Sequence, residues 1–268
     1  MNSSLLAFAA IACYISSTLY IAFRLFRRDR ETVPRAVGIA LGLSGVVFHS
    51  LFLYLTMFTG EGVNLGFFSA ASSISWIILV LLMLSSLSKP VENLGILLLP
   101  LAAVSIALQL QYPSVHFLSP DTPWILRLHV LISMLAYSLL TLASVQAVLL
   151  AIQDHQLRNR HPGGFVRALP PLQTMEVLLF EMIALGFALL TVALISGFIF
   201  LENMFSQHLV HKTILSLAAW VVFGTLLWGR FRYGWRGQKA LIWTLVGFVV
   251  LMLAYFGSKF VLELVLTA

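Results

Sequence analysis

A chain of 268 residues that is 60% hydrophobic and only 10% charged cannot clothe a soluble globule in polar surface. Its mean hydropathy of +0.98 calls for lipid as the solvent, and in lipid each apolar run must satisfy its own backbone as a helix. The net charge of +6 excludes little by itself. The basic residues fall in short segments between apolar runs, which makes them membrane-orientation signals and leaves no role for nucleic acid.

The chain is therefore expected to be an all-α, polytopic membrane helix bundle of about eight transmembrane helices, a single integral membrane domain over 1–268. A barrel is excluded because the runs are continuous rather than alternating. The runs cover 4–26, 37–58, 67–88, 94–111, 125–152, 172–201, 213–229 and 241–265. About 20 residues cross the hydrocarbon core, so each run is read as one crossing. The first run has its positive charges behind it, the reverse of a cleavable signal peptide. It is read as a retained helix. The fourth run is short and holds Pro100, which is expected to kink it. Pro170 and Pro171 open the sixth run, as proline does at a helix start. The stretch 153–171 is read as a solvated connector, and no internal repeat is evident in the sequence.

Of the 16 basic residues, 13 lie at the end of the first run or in the first, third, fifth and seventh loops. Arg127, Lys212 and Lys259 make up the other side. The positive-inside rule makes the basic side cytoplasmic, and an even count of crossings then puts both termini outside. The multi-pass location expected is a bacterial inner membrane.

Histidines are the most informative polar residues. His49 lies within LSGVVFHSLFLYL, an otherwise apolar span. A group that costly at that depth faces the bundle interior and has a partner. It fits two roles: ligand of a cofactor, or interhelical hydrogen bond. His129, Ser133 and Tyr137 fall at i, i+4 and i+8, one polar stripe on the fifth helix. Neutral imidazole suits haem iron or zinc. His208 and His211 lie three apart before the seventh helix, a spacing that fits surface histidines as well as ligands. Arg127 and Lys212 fit a haem propionate or another anion, or snorkelling to headgroups. Glu176 and Glu181 sit near the basic end of the sixth run, Glu181 as a headgroup-level acid or part of a proton path. Cys13 stands alone, so no disulfide or thiolate cluster forms within one chain. No nucleotide loop, nucleophile elbow or HExxH site is present, and no enzymatic activity is expected.

Three stretches carry a resemblance. NLGFFSAASSISWIILVL (64–81) resembles the NLYES…FLSW segment of the cytochrome c assembly family, the CcsA-type haem-handling proteins. HKTILSLAAWVVFGTLLWGRFRYGWRG (211–237) resembles a second segment of that family, with Lys212, Trp220, Arg230 and the Gly234–Trp235–Arg236–Gly237 tetrad in order. HVLISMLAYSLL resembles the family's HVxxxxxxYAxL helix, matching His129 and Tyr137. The likeness covers about 40–265, and in length the chain is similar to short bacterial members such as the HemX-like proteins. It implies haem as cofactor, His129 as a candidate axial ligand, and His49 or an outer-loop histidine as the second. The candidate haem-binding set is thus His129, His49, His208, His211, Tyr137, Arg127, Lys212 and Trp220. Three departures argue against a full synthetase. No tryptophan-rich loop precedes Lys212, Trp228 stands where the family has a histidine, and no outer loop is long enough to present an apocytochrome. The expected function is a haem-binding accessory protein of cytochrome c assembly, partnered by haem, lipid and other assembly proteins. The alternatives are a HemX-like regulator that contacts a haem-biosynthesis enzyme through cytoplasmic loops, and a small-solute transporter.

Overall fold

The computed structural model describes residues 2–27, 33–59, 62–112, 116–159, 169–200 and 210–257. Their helices are α1 (Ser3–Phe26), α2 (Arg35–Met57), α3 (Phe67–Ser88), α4 (Gly95–Gln111), α5 (Trp124–Arg158), α6 (Leu172–Phe200), α7 (Val210–Tyr233) and α8 (Gln238–Met252). A 3₁₀ turn at Glu92–Leu94 leads into α4, and a π turn at Leu253–Gly257 extends α8. With those turns included, all eight are long and apolar enough to cross a membrane. The protein is a polytopic helical membrane protein, as the apolar runs require. Prolines mark the starts: Pro34 precedes α2, Pro123 precedes α5, and Pro170–Pro171 precede α6. Pro100 lies inside α4 without ending it.

The helices form two compact units, α1–α4 and α5–α8. In the first, each helix packs on the next and α1 returns to α4, closing a ring. In the second, α5 packs on α6, α6 on α7, α7 on α8, and α8 returns to α5. One membrane domain was expected from the sequence; the packing gathers its helices into two four-membered rings.

A seam of polar side chains joins the helices of the first unit. His49 on α2 is fully buried, with Nδ1 3.1 Å from the Tyr14 hydroxyl on α1 and Nε2 2.9 Å from Ser72 Oγ on α3. Gly45 stands one turn before His49. A Cβ there would lie 2.5 Å from the Tyr14 ring, so its absence lets Tyr14 close on α2 and reach the imidazole. Trp76 Nε1 donates to Ser50 Oγ at 2.8 Å, and Ser75 pairs with Ser105 at 2.7 Å. At one end of this unit, short strands β1 (Phe58–Thr59), β2 (Gly62–Asn64) and β3 (Phe117–Leu118) pair antiparallel. Asn64 Oδ1 accepts the backbone N–H groups of Gly66 and His116, tying the strands to the start of α3. At the other, basic end, buried Glu92 faces Arg24 at 3.4 Å and Arg35 at 3.9 Å. Arg35 also donates to the carbonyls of Ser86 and Lys89.

The second unit has its own acid at its basic end. Arg230 Nη1 lies 2.6 Å from Glu176 Oε1, and Arg236 Nε lies 3.5 Å from the same oxygen. The Arg230 guanidinium also covers the Phe180 ring at 4.5 Å. Gly234 and Gly237 take φ of +65° and +56°, which turns the chain from α7 into α8 and brings Trp235 against Gly229. Gln146 and Gln153 of α5 donate to the carbonyls of Met175 and Pro170, fixing α5 to the start of α6.

Candidate functional site

His129 lies in the second turn of α5, half-buried, and its ring meets α6. Nδ1 is 2.9 Å from Ser196 Oγ. Ser196 Oγ itself donates to the Ala193 carbonyl at 2.9 Å. A serine hydroxyl has one proton, and here it is committed to that carbonyl. The contact with the ring therefore runs the other way: Nδ1–H donates and Ser196 Oγ accepts. A neutral imidazole with its proton on Nδ1 keeps the lone pair on Nε2. The ring also hydrogen-bonds the Ala193 carbonyl, and no side-chain hydrogen bond to Nε2 is found among the described residues.

The neighbouring turns of α6 carry the next candidate. Trp220 on α7 donates Nε1–H to Thr191 Oγ1 at 2.9 Å and stacks on Phe187 with ring centroids 5.5 Å apart. Thr191 and Ser196 are five residues apart, so α6 engages α7 and α5 through adjacent turns. Tyr137, two turns along α5 from His129, is buried against Phe248, Tyr255 and Phe256. Arg127 is exposed in the first turn of α5, and Lys212 is half-buried in the first turn of α7 beside exposed His211. The α5–α6 and α6–α7 contacts thus bring His129 and Trp220 to one helix. His208 lies outside the described residues.

His49 belongs to the first unit, and both its ring nitrogens lie at hydrogen-bond distance from hydroxyls. Of its two expected roles, this geometry supplies the interhelical hydrogen bond. Binding iron would require one of those contacts to break. His129 differs: among the described residues its ring meets one hydroxyl, Ser196, and the Ala193 carbonyl, both on α6. Among the described residues no group of three or more His, Cys, Asp or Glu stands ready to hold a bare metal ion. A single open imidazole between helices fits a haem better, because the porphyrin brings four of the iron's ligands itself.

Sequence reasoning did not find Ser196, Glu92 or the Arg230–Glu176 pair as a unit. The pair had a signal: a carboxylate inside the basic end of an apolar run, and an arginine at the basic end of the next. Ser196 had none, because it lies 67 residues from His129.

Residues 37–266 match the model of the family described as Cytochrome C assembly protein. The chain is 31% identical to the Inner membrane protein YpjD of Escherichia coli K12 over 266 residues, covering 97% of this chain and 98% of that protein. It is 33% identical to an uncharacterized 28.8 kDa protein of Azospirillum brasilense, covering 70% of this chain and 71% of that protein. Against the Cytochrome c biogenesis protein CcsA of Chlamydomonas reinhardtii it is 27% identical, covering 70% of this chain and 52% of that one. No solved structure matches. With the match running from the start of α2 past the end of α8, this eight-helix chain belongs to the cytochrome c assembly protein family.

Proposed function

We propose that this chain is a haem-binding accessory membrane protein of cytochrome c assembly, with His129 Nε2 as an axial donor to the iron. Family membership supports the general role in cytochrome c biogenesis. The observation that carries the finer reading is the contact of His129 Nδ1 with Ser196 Oγ at 2.9 Å, the serine in turn bonded to the Ala193 carbonyl; with Nδ1–H donating there, Nε2 keeps its lone pair. A bound haem would supply a redox-active iron. The chain's own part would be non-covalent. His129 would hold the iron, and the cations Arg127 and Lys212 would suit the carboxylate propionates. This reading requires no step that makes or breaks a bond in a substrate, and a non-enzymatic role is part of the proposal. The relative's name places YpjD in an inner membrane, and the same location is proposed here, with the basic loops facing the cytoplasm.

The test is an optical spectrum of the protein purified from haem-replete membranes, wild type beside His129→Ala. A Soret band is expected in the wild type and a large loss of haem in the variant at equal expression. A colourless wild type that does not respond to added haemin would remove the proposal.

One observation favours a second reading, regulation of haem synthesis through cytoplasmic contacts. A cavity of about 290 Å³ opens between the last turns of α5 and the α7–α8 turn, lined by Asp154, His155, Arg158, Glu176, Gly237 and Gln238 among others. Its lining takes residues from both of the segments that this reading requires as contact surfaces. Pull-down of a haem-biosynthesis enzyme with Arg158 and Gln238 altered separates the readings, since unchanged recovery would leave the cavity without that role.

A further inference from the structure

We infer that Ser196 is the positioning residue for His129: it fixes the ring's tautomer and orientation so that Nε2, not Nδ1, is presented as a ligand. The inference rests on the haem reading above and goes beyond it to a residue on a different helix. The direction of the bonds carries it. Ser196 sends its only hydroxyl proton to the Ala193 carbonyl at 2.9 Å, one turn back on α6. With that proton directed to the carbonyl, the Ser196 oxygen is placed to accept from the imidazole 2.9 Å away, beside the same carbonyl that the ring itself hydrogen-bonds. The chain Nδ1–H to Oγ–H to carbonyl is a relay of two bonds in one direction, and successive bonds of that kind polarise one another. It does three things at the ring. It places the proton on Nδ1, it holds the ring plane against α6, and it makes Nε2 a better electron donor. Alanine at 196 would take the hydroxyl away from Nδ1–H and leave the Ala193 carbonyl as the ring's one remaining acceptor among the described residues, a looser hold on the ring about χ2. Valine would do the same at nearly the shape of threonine, whereas threonine keeps the hydroxyl.

The experiment uses the full chain in detergent and haemin as the probe. Four variants are compared with wild type: Ser196→Ala, Ser196→Val, Ser196→Thr and His129→Ala. Two quantities are read: the haemin dissociation constant, and the iron–imidazole stretching frequency of the ferrous form by resonance Raman. Loss of an outer partner of a ligating histidine typically weakens metal affinity about 10–100-fold. A rise of about tenfold in the dissociation constant is expected for Ser196→Ala and Ser196→Val, with a lower stretching frequency. Ser196→Thr is expected to recover both. The Val and Thr variants differ in one methyl-for-hydroxyl exchange, so a packing defect common to both does not mimic the result. If Val and Thr bind haemin alike with the wild-type frequency while His129→Ala loses it, the positioning role is overturned and the ligation reading stands. If His129→Ala binds haemin as the wild type does, the ligation reading itself fails and takes this inference with it.

Discussion

Tyr14 and Ser72 occupy both nitrogens of His49, whereas Ser196 occupies one nitrogen of His129. The two residues look alike in the sequence, each a histidine in an apolar span. What separates them is the number of hydroxyls that the fold brings to each ring. His49→Ala is expected to lower thermal stability by roughly 1–3 kcal/mol, because two hydroxyls inside the bundle lose their partner. The haem spectrum of that variant is expected to match wild type, and a melting curve beside an absorption spectrum reads both. A lost Soret band would return His49 to the ligands. The spacing of His129 and Tyr137 suggested one stripe, but the two side chains meet different neighbours, His129 the Ser196 of α6 and Tyr137 the end of α8. The partners were not legible. Ser72 is 23 residues from His49 and Tyr14 is 35 away, and nothing local in the sequence encodes which apolar span will lie alongside.

Helices were the legible elements, since length and continuous hydropathy fix a span without reference to any partner. Their order in each ring was not legible. An apolar helix in lipid does not need to hide one face from solvent, so hydropathy does not mark the face that meets a neighbour. Small residues and sparse polar groups do that marking instead. Gly45 is a case: a methyl group there meets the Tyr14 ring, and Gly45→Ala is expected to cost about 1–3 kcal/mol as overpacking. Thermal melting reads it, and Tyr14→Leu in the same chain is expected to relieve part of the clash. Each unit also holds a buried acid at its basic end against two arginines, Glu92 with Arg24 and Arg35, and Glu176 with Arg230 and Arg236. Glu176→Gln leaves Arg230 beside Phe180 without its countercharge. A loss of about 3 kcal/mol is expected, the lower end for breaking a buried pair, read as reduced resistance to heat in detergent. Arg236→Gln is expected to matter much less, because that side chain is largely exposed.

At the scale of the whole chain, orientation is set by charge. With 13 of 16 basic residues on one side, alkaline phosphatase fused at the C-terminus is expected to be active and green fluorescent protein dark. A bright fluorescent fusion would invert the topology. The orientation proposed from the charges would put His129, near the start of α5, toward the extracytoplasmic end. In sealed vesicles, haemin tethered to an impermeant polymer is therefore expected to bind from that side alone. The apolar runs made the eight spans readable from the sequence, and the side on which the loops lie is what these fusions test. The division of eight helices into two closed rings was not readable, because it depends on which ends return to one another.

At 1.5 Å per residue, the 35 residues of α5 make a rod of about 52 Å, against roughly 30 Å of hydrocarbon. Trp124 and the short approach to His129 leave most of the surplus at the basic end, where Gln153 fastens it to the residue that leads into α6. For electron cryo-microscopy this is a grafting point. A protein of 29.7 kDa shows little outside its detergent belt. A rigid helical insert spliced between Arg158 and Leu172, in phase with both rods, would give each particle a fiducial whose orientation is locked to α5.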